Sequence, residues 1–472
     1  MSVTQHSSAP GGPGLAPKET GASDLQKDVH VKNVDAAEDS PEVMEQLQRA
    51  TFDYFVHESN PLNGLVLDKT RAGAPASIAA VGLALSAYPV GVEQHFISRS
   101  EAIQRTLATL RFFHHSIQSN APDATGYKGF YYHFLDMNSG RRVWKCELST
   151  VDSAFLLMGM LTAATYFLRS TAEENEIRGL ADELYLRADW KWAQNGGMTV
   201  THGWKPESGF LPYRWQGYDE ALFLYLLGLG SPSHPLPKES YTQWTSTYQW
   251  RTIYGHAFLY SGPLFTHQIS HLWVDFRGIQ DEYMRGRSID YFENSRRATY
   301  VQQQYAIDNP AQFEAYSAKC WGITASDGPG PATRTIKKHK RQFFGYLARG
   351  VPQGPEDGTI PPWAVVASLP FAPEIVLPTL QYFETLKLRK NNPYGFKATF
   401  NATYPGKCDP SRLWVSPFHY GLNQGPIVLM IENFRTGLLW RLMRQCPYLV
   451  AGLRRAGFYG GWLGEACSRS AL

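Results

Sequence analysis

Cysteine is scarce and poorly placed for cross-linking. The five residues, Cys146, Cys320, Cys408, Cys446 and Cys467, are odd in number, widely spaced and never form C-x-x-C. A disulfide framework and a zinc cage are both excluded, and buried free thiols are expected. No apolar run is long and uninterrupted enough to cross a bilayer. The first 40 residues have no apolar h-region, so a cytoplasmic chain is expected as written. A periplasmic or secreted chain is the alternative if the N-terminus is processed or atypical. No long basic run is present and the formal net charge is only +3, which argues against nucleic acid as a partner. The phosphate-binding G-x-x-x-x-G-K-[ST] loop, a strand-borne G-x-G-x-x-G, the G-x-S-x-G elbow and D-D-x-x-D are all missing. His267 and His271 stand four apart with Asp275 continuing the spacing, but no Glu follows the first His, so there is no H-E-x-x-H motif. No metal or cofactor is expected, and no obligate protein partner is evident.

Apolar and aromatic residues, in contrast, are plentiful. Hydrophobic residues make up 43% and aromatics 14%, with 13 Trp and 26 Tyr. Such rings, apolar on the face and polar at the edge, suit sugar-binding clefts. The Gly-, Pro- and Ser-rich stretch 1–40 is expected to be a disordered tail, followed by one domain over 41–472. Helix signals then dominate. Ser40 precedes Pro41 as cap and first helical residue. Ser98 to Glu101 reads as a capping box, and Ser170 to Glu173 opens another amphipathic helix. Three segments, 151–168, 220–230 and 425–443, are apolar on nearly every side and must therefore be buried all round. Buried helices alternating with one-faced helices require an inner and an outer ring. The fold expected is all-α, an α/α toroid, with one small β-hairpin element at 129–148. Asn401 to Thr403 matches a glycosylation sequon, which matters only in a secreted chain.

In such a barrel, polar groups at the head of an apolar helix deserve most suspicion. Asp219 and Glu220 precede "ALFLYLLGLG", and Asp152 stands at the head of the 151–168 segment. Asp219 suits a helix cap by residue type, which leaves Glu220 free for a cavity. The densest polar and aromatic run, 267–310, offers His271, Asp275, Arg277, Asp281 and Glu293 among rings such as Trp273 and Tyr291. Rings that stack on sugars and charged groups that bind hydroxyls would make this a cleft. The glycine-rich turns carrying Asp327 and Asp357 read as cavity-rim loops. Carboxylates among aromatics in a cleft are the working parts of a glycosidase.

The motifs "GWKPESGFLPYRWQGYDEALFLYLLGLGSPSHPLP", "HQISHLWVDFRGIQDEYM", "IDYFENSRRATYVQQQYAIDNP", "WGITASDGP", "ARGVPQGPEDGTIPPWAVVASLPFAPE" and "NQGPIVLMIENFRTGLLW" resemble the glucoamylase-like family of bacterial proteins. That family includes the β-1,2-glucanases of glycoside hydrolase family 144 and domains of cyclic β-1,2-glucan synthases. The resemblance runs from about Glu42 to Trp440. It implies an (α/α)6 toroid and hydrolysis of β-1,2-glucan, endo-acting or sophorose-releasing, with inversion and without a metal. Glu220, within R-W-x-G-Y-x-E-A, matches the general acid, and Asp152, within S-T-x-D-x-A, matches a further cavity acid. The resemblance implies that relatives often read D-Q-G-P, with that Asp as a base, where this chain has Asn423 to Pro426, and asparagine cannot accept a proton from water. The second carboxylate would then be Glu293 or Asp152. Trp204, Arg214, Trp215, Tyr218, His271, Asp275, Arg277, Asp281, Trp321, Asp327 and Asn423 would contact substrate. A retaining transglycosylase with Glu293 as nucleophile, and a carbohydrate-binding member without turnover, are the alternatives.

Overall fold

Helices that are apolar on every side form the inner ring. Ile78–Glu93 buries every residue from Ile78 to Gly91, and Leu222–Gly230 buries all of its residues. Thr150–Tyr166, Pro362–Ala367 and Gly421–Arg435 are nearly as enclosed. One-faced helices pack outside them: Ser40–His57, Arg99–His115, Ala172–Leu186, Tyr291–Asp308, Pro373–Thr385 and Pro447–Arg455. In the ring, 78–93 packs on 150–166, which packs on 222–230. The 362–367 helix packs on 421–435, which in turn packs on 78–93. Trp273 fills the middle against Phe223 and Phe155, with ring centroids 5.4 and 5.6 Å away. The fold is all-α, an (α/α)6 toroid. This computed structural model describes residues 40–406 and 413–464, so the expected tail up to residue 39, Cys408 and Cys467 lie outside the described residues. Cys146, Cys320 and Cys446 are buried free thiols. Among the described residues, no helix is long and apolar enough to cross a membrane.

One local expectation shifts. Ser98 caps its helix as read, accepting from the Glu101 amide at 3.1 Å. The next cap is Thr171 instead of Ser170, so Glu174 instead of Glu173 takes the third helical position, where it pairs with Arg99. The 129–148 hairpin forms: Phe130–Tyr132 pairs antiparallel with Leu148–Ser149, and Leu135 bridges Arg142. Phe134–Leu135 also pairs with Ala76–Ser77. Further hairpins lie at Trp250–Ile253 with His256–Leu259, and at Ala332–Ile336 with His339–Phe343. Strands of two to six residues are too short to display a period-two pattern. Asn401 is fully buried and its amide bonds Asp357, Thr359, Thr403 and Tyr404, so it is a structural residue in this fold.

The inner helices touch through backbone. A Cβ on Gly82 would stand 2.2 Å from the Phe155 carbonyl oxygen, and one on Gly159 would stand 2.1 Å from the Gly82 oxygen. Backbone cannot yield as a flexible side chain can. Gly82→Ala is expected to lower the unfolding free energy by about 1–3 kcal/mol or more in a denaturant titration. An unchanged midpoint would mean that the two helices do not meet there.

Candidate active site

Short strand ladders tie the inner helices together at their N-terminal ends. Ser77 pairs with Phe134, Tyr131 with Ser149, Ser149 with Gly203, and Lys69 with Tyr420. The starts of the 78–93, 150–166, 222–230 and 421–435 helices therefore gather at one end. Ser149 caps the 150–166 helix: its Oγ accepts from the Asp152 amide at 3.2 Å and donates to Asp152 Oδ2 at 2.5 Å. His133 Nδ1 lies 3.6 Å from Asp152 Oδ2 and 3.0 Å from Glu147 Oε1. Burial alone would lower the His133 pKa, but the two carboxylates outweigh it and raise it. Burial pushes Glu147 up, and the His133 contact outweighs that and holds it at about 2. The His133 imidazole thus lies between two acids.

Glu220 occupies the turn just ahead of Leu222–Gly230 and is partly accessible. Burial, with Asp152 and Asp219 adding repulsion, pushes its carboxyl up to about 8. Asp219 differs from its expected role. The N-cap is Ala221, and Asp219 Oδ1 accepts from the Ala221 amide at 3.0 Å and from the Trp244 indole at 3.1 Å. It braces the turn before the helix, and burial raises it to about 7 despite those bonds.

The opposite wall was largely unforeseen. Tyr346 is 40% exposed, yet its hydroxyl is raised by desolvation between the walls and by the fields of Glu220, Asp68, Asp152 and Asp327, so these acids share one space. Asp68 precedes the 78–93 helix and is raised by burial. Asp327 accepts from Ser416 Oγ at 2.8 Å. Lys69 Nζ stands 3.3 Å from the Tyr420 hydroxyl. Asn423 lies in the first turn of Gly421–Arg435 at the same mouth, buried, with no side-chain hydrogen bond among the described residues. Behind this wall Arg349 and Asp357, both fully buried, form a bidentate pair at 2.8 Å. Arg349 also donates to the carbonyls of Ser326, Phe344 and Gly345. Asp357 is therefore a strut and not a rim group, and it holds the loops that carry Asp327 and Tyr346. The signal available for this wall was Asp68 upstream of the apolar 78–93 run; on the Asp152 side it was Glu147, two residues before Ser149.

Most of the residues expected to touch substrate are engaged elsewhere. His271 is buried between Phe276 and Phe371, its Nε2 3.0 Å from Ser295 Oγ, and burial lowers its pKa to about 3. Asp275 is held by Arg277 through two 2.8 Å bonds and by Arg444, while Arg277 lies over Trp440. Trp440 and Arg444 follow the C-terminal end of Gly421–Arg435, about 20 Å from its mouth for a helix of that length. Asp281 caps Glu282–Arg285 and accepts from Tyr241 and Tyr291. Arg214 donates to the carbonyls of Gln194 and Thr199. Trp321 is fully buried and bonds Thr379. Glu293 pairs with Arg297 at 2.8 Å and Arg296 at 3.7 Å, away from the Glu220 group. Tyr218 turns toward Tyr248, Tyr291 and His267. Trp215 lies nearer the mouth, stacked on His202 at 3.8 Å and bonded to Thr150 Oγ1. Trp204 is half-buried beside Tyr127 on the adjoining sheet. Density of polar residues misled here because satisfied pairs and ligand-binding groups have the same composition. A surface groove of about 910 Å³ beside Arg99–His115 is separate, and Arg99 and Arg111 in it are already paired with Glu174 and Glu176.

The molecule is thus an α/α toroid with an acidic cleft where its inner helices begin. The family model described as "Putative glucoamylase" matches residues 212–447. An exo β-1,2-glucooligosaccharide sophorohydrolase from Parabacteroides distasonis is 28% identical over 88% of this chain, which spans 57% of that protein. The crystal structure of a "putative glucoamylase" from Bacteroides uniformis is 32% identical, with a TM-score of 0.79 over 92% of this chain and all of the other. An endo-β-1,2-glucanase from Chitinophaga pinensis, solved with sophorotriose and glucose, is 25% identical with a TM-score of 0.77, over 90% of this chain and 99% of its own. The chain belongs to this glucoamylase-like family.

Two stability measurements follow from the geometry. Arg349→Met strands a buried carboxylate and is expected to cost about 3–5 kcal/mol in chemical denaturation; a loss below 1 kcal/mol would mean that Asp357 finds water. Glu220 carries a proton in the folded chain between its ordinary 4.5 and about 8, whereas the unfolded chain has released it. Stability therefore falls as pH rises across that window. Glu220→Gln removes the penalty, so its Tm advantage over the parent should be near zero below pH 4.5 and grow up to pH 8. A constant offset across that range would contradict the raised pKa.

Proposed function

We propose that this protein is a glycoside hydrolase acting on β-1,2-linked glucan. The observation that carries the reading is Glu220, a carboxyl kept protonated near neutral pH beside Asp152 at the mouth of a buried helix. A general acid needs its proton at the working pH, and burial next to like charges is how a carboxyl keeps one. The similarity to the sophorohydrolase and the endo-β-1,2-glucanase supports the linkage. Glu220 protonates the leaving oxygen, directly or through a substrate hydroxyl. Asp152 activates water: Ser149 Oγ donates to its Oδ2 and the His133 ring nitrogen stands 3.6 Å away, so both orient the carboxylate. This favours Asp152 over Glu293, whose oxygens are taken by two arginines. The reading keeps inversion at the anomeric carbon, which requires room for that water between the carboxyls. Asp327, Tyr346, Trp204 and Asn423 line the path of the chain.

Asn423 favours a second reading, a cleft that binds glucan without cleaving it, because an amide stands where the family resemblance implies that an acid often does. Incubation with linear β-1,2-glucan separates the two. Cleavage with initial products of inverted configuration by NMR is expected; retained configuration would contradict the water-activating role of Asp152, and binding without products would favour the second reading. Glu220→Gln should reduce turnover by about 10²–10⁴-fold. The parent's kcat should decline as pH rises through about 8, because the acid must be protonated. Turnover in Glu220→Gln close to that of the parent would remove Glu220 from this role.

A further inference from the structure

Trp144 is the most exposed aromatic residue among the described residues, 64% accessible, in a chain whose other tryptophans are at least partly buried. It occupies a four-residue turn closed by the Cys146 amide donating to the Val143 carbonyl at 3.1 Å. Both central residues, Trp144 at φ 57° and Lys145 at φ 48°, have left-handed backbone. Turns with positive φ at both centres favour Asn-Gly, because side chains on L-residues are strained there. The chain instead places its largest side chain at such a position and turns it to water. No core packing explains this, since among the described residues the ring's one ring neighbour is Phe134 at 5.3 Å and the residue is 64% exposed. Strain of this kind persists where function requires it.

The location matters as much as the strain. Phe134 stacks on His133 at 3.9 Å and 14°, and His133 reaches Asp152. Phe134 is also the ladder partner of Ser77, the cap of the 78–93 helix. Trp144 therefore stands two ring contacts from the acidic cluster, on the wall between two inner-helix mouths. Phe134 and the Val143 backbone, which donates to the Phe134 carbonyl at 3.2 Å, fix it there. A flat, rigid, solvated indole suits the apolar face of a pyranose ring.

We infer that Trp144 is a stacking platform for a glucosyl unit of the substrate chain beyond the units at the cleavage point. This rests on the proposed reading of the cleft. Trp144→Ala should raise KM on long glucan roughly three- to tenfold, with kcat on the shortest cleaved oligosaccharide unchanged and with Trp144→Phe largely restoring affinity. Equal KM on long chains would overturn the platform while leaving the hydrolase reading standing. Trp144→Asn combined with Lys145→Gly relaxes the turn, so it should raise Tm yet lose the long-chain affinity. A fall in Tm would mark Trp144 as a packing residue and overturn the inference. If the parent cleaves no β-1,2-glucan, affinity electrophoresis of the parent and Trp144→Ala through soluble β-glucans still decides. Retardation of the parent alone supports the platform; equal mobility, or no retardation of either, overturns it.

Discussion

Burial of Glu220 beside two other carboxylates is the constraint around which the rest of the cleft is organised. An isolated charge at that depth would be costly, and a second and third negative charge make it costlier. The chain accommodates them unequally. Asp152 has a serine hydroxyl, a helix N-terminus and a neighbouring histidine. Asp219 has an amide and an indole. Glu220 forms no hydrogen bond among the described residues and holds a proton instead. Groups driven apart in this way can take acid and base roles in one site.

The scaffold that permits this is built from backbone contacts. Gly82 and Gly159 let two inner helices approach until main chain meets main chain, and the ladders at Ser77, Ser149 and Gly203 hold their starts level. The polar capping residues of those helices then converge. On the far wall Asp327 and Tyr346 stand in loops between short strand pairs. A single buried arginine, Arg349, fastens these loops by collecting four carbonyls, those of Ser326, Asp327, Phe344 and Gly345, and one aspartate. Rigid helices carry Glu220 and Asp152, whereas an ionic strut carries the opposite side.

The toroid was legible because it depends on patterns that survive in one dimension. Helices apolar on every side, such as 222–230, differ visibly from one-faced helices such as 172–186, and caps such as Ser98 announce themselves. Glu220 and Asp152 stood out as candidates for the same reason, standing at the heads of apolar segments. The run 267–310 was not, because Asp275 with Arg277 and His271 with Ser295 are satisfied internally, and sequence does not reveal pairing. Nor were Asp68, His133, Tyr346 and Tyr420, which come from short strands and loops and meet only when the ring closes. Trp144 lay beyond composition too, since only its φ and exposure distinguish it from twelve other tryptophans.

The central claim is that the folded chain holds a proton on Glu220 at neutral pH. A direct titration of the Glu220 carboxyl, by isotope-edited infrared or carbon-13 NMR with Glu220→Gln assigning the signal, tests it. The account predicts a midpoint near 8. A midpoint near the ordinary glutamate value of about 4.3 would contradict it.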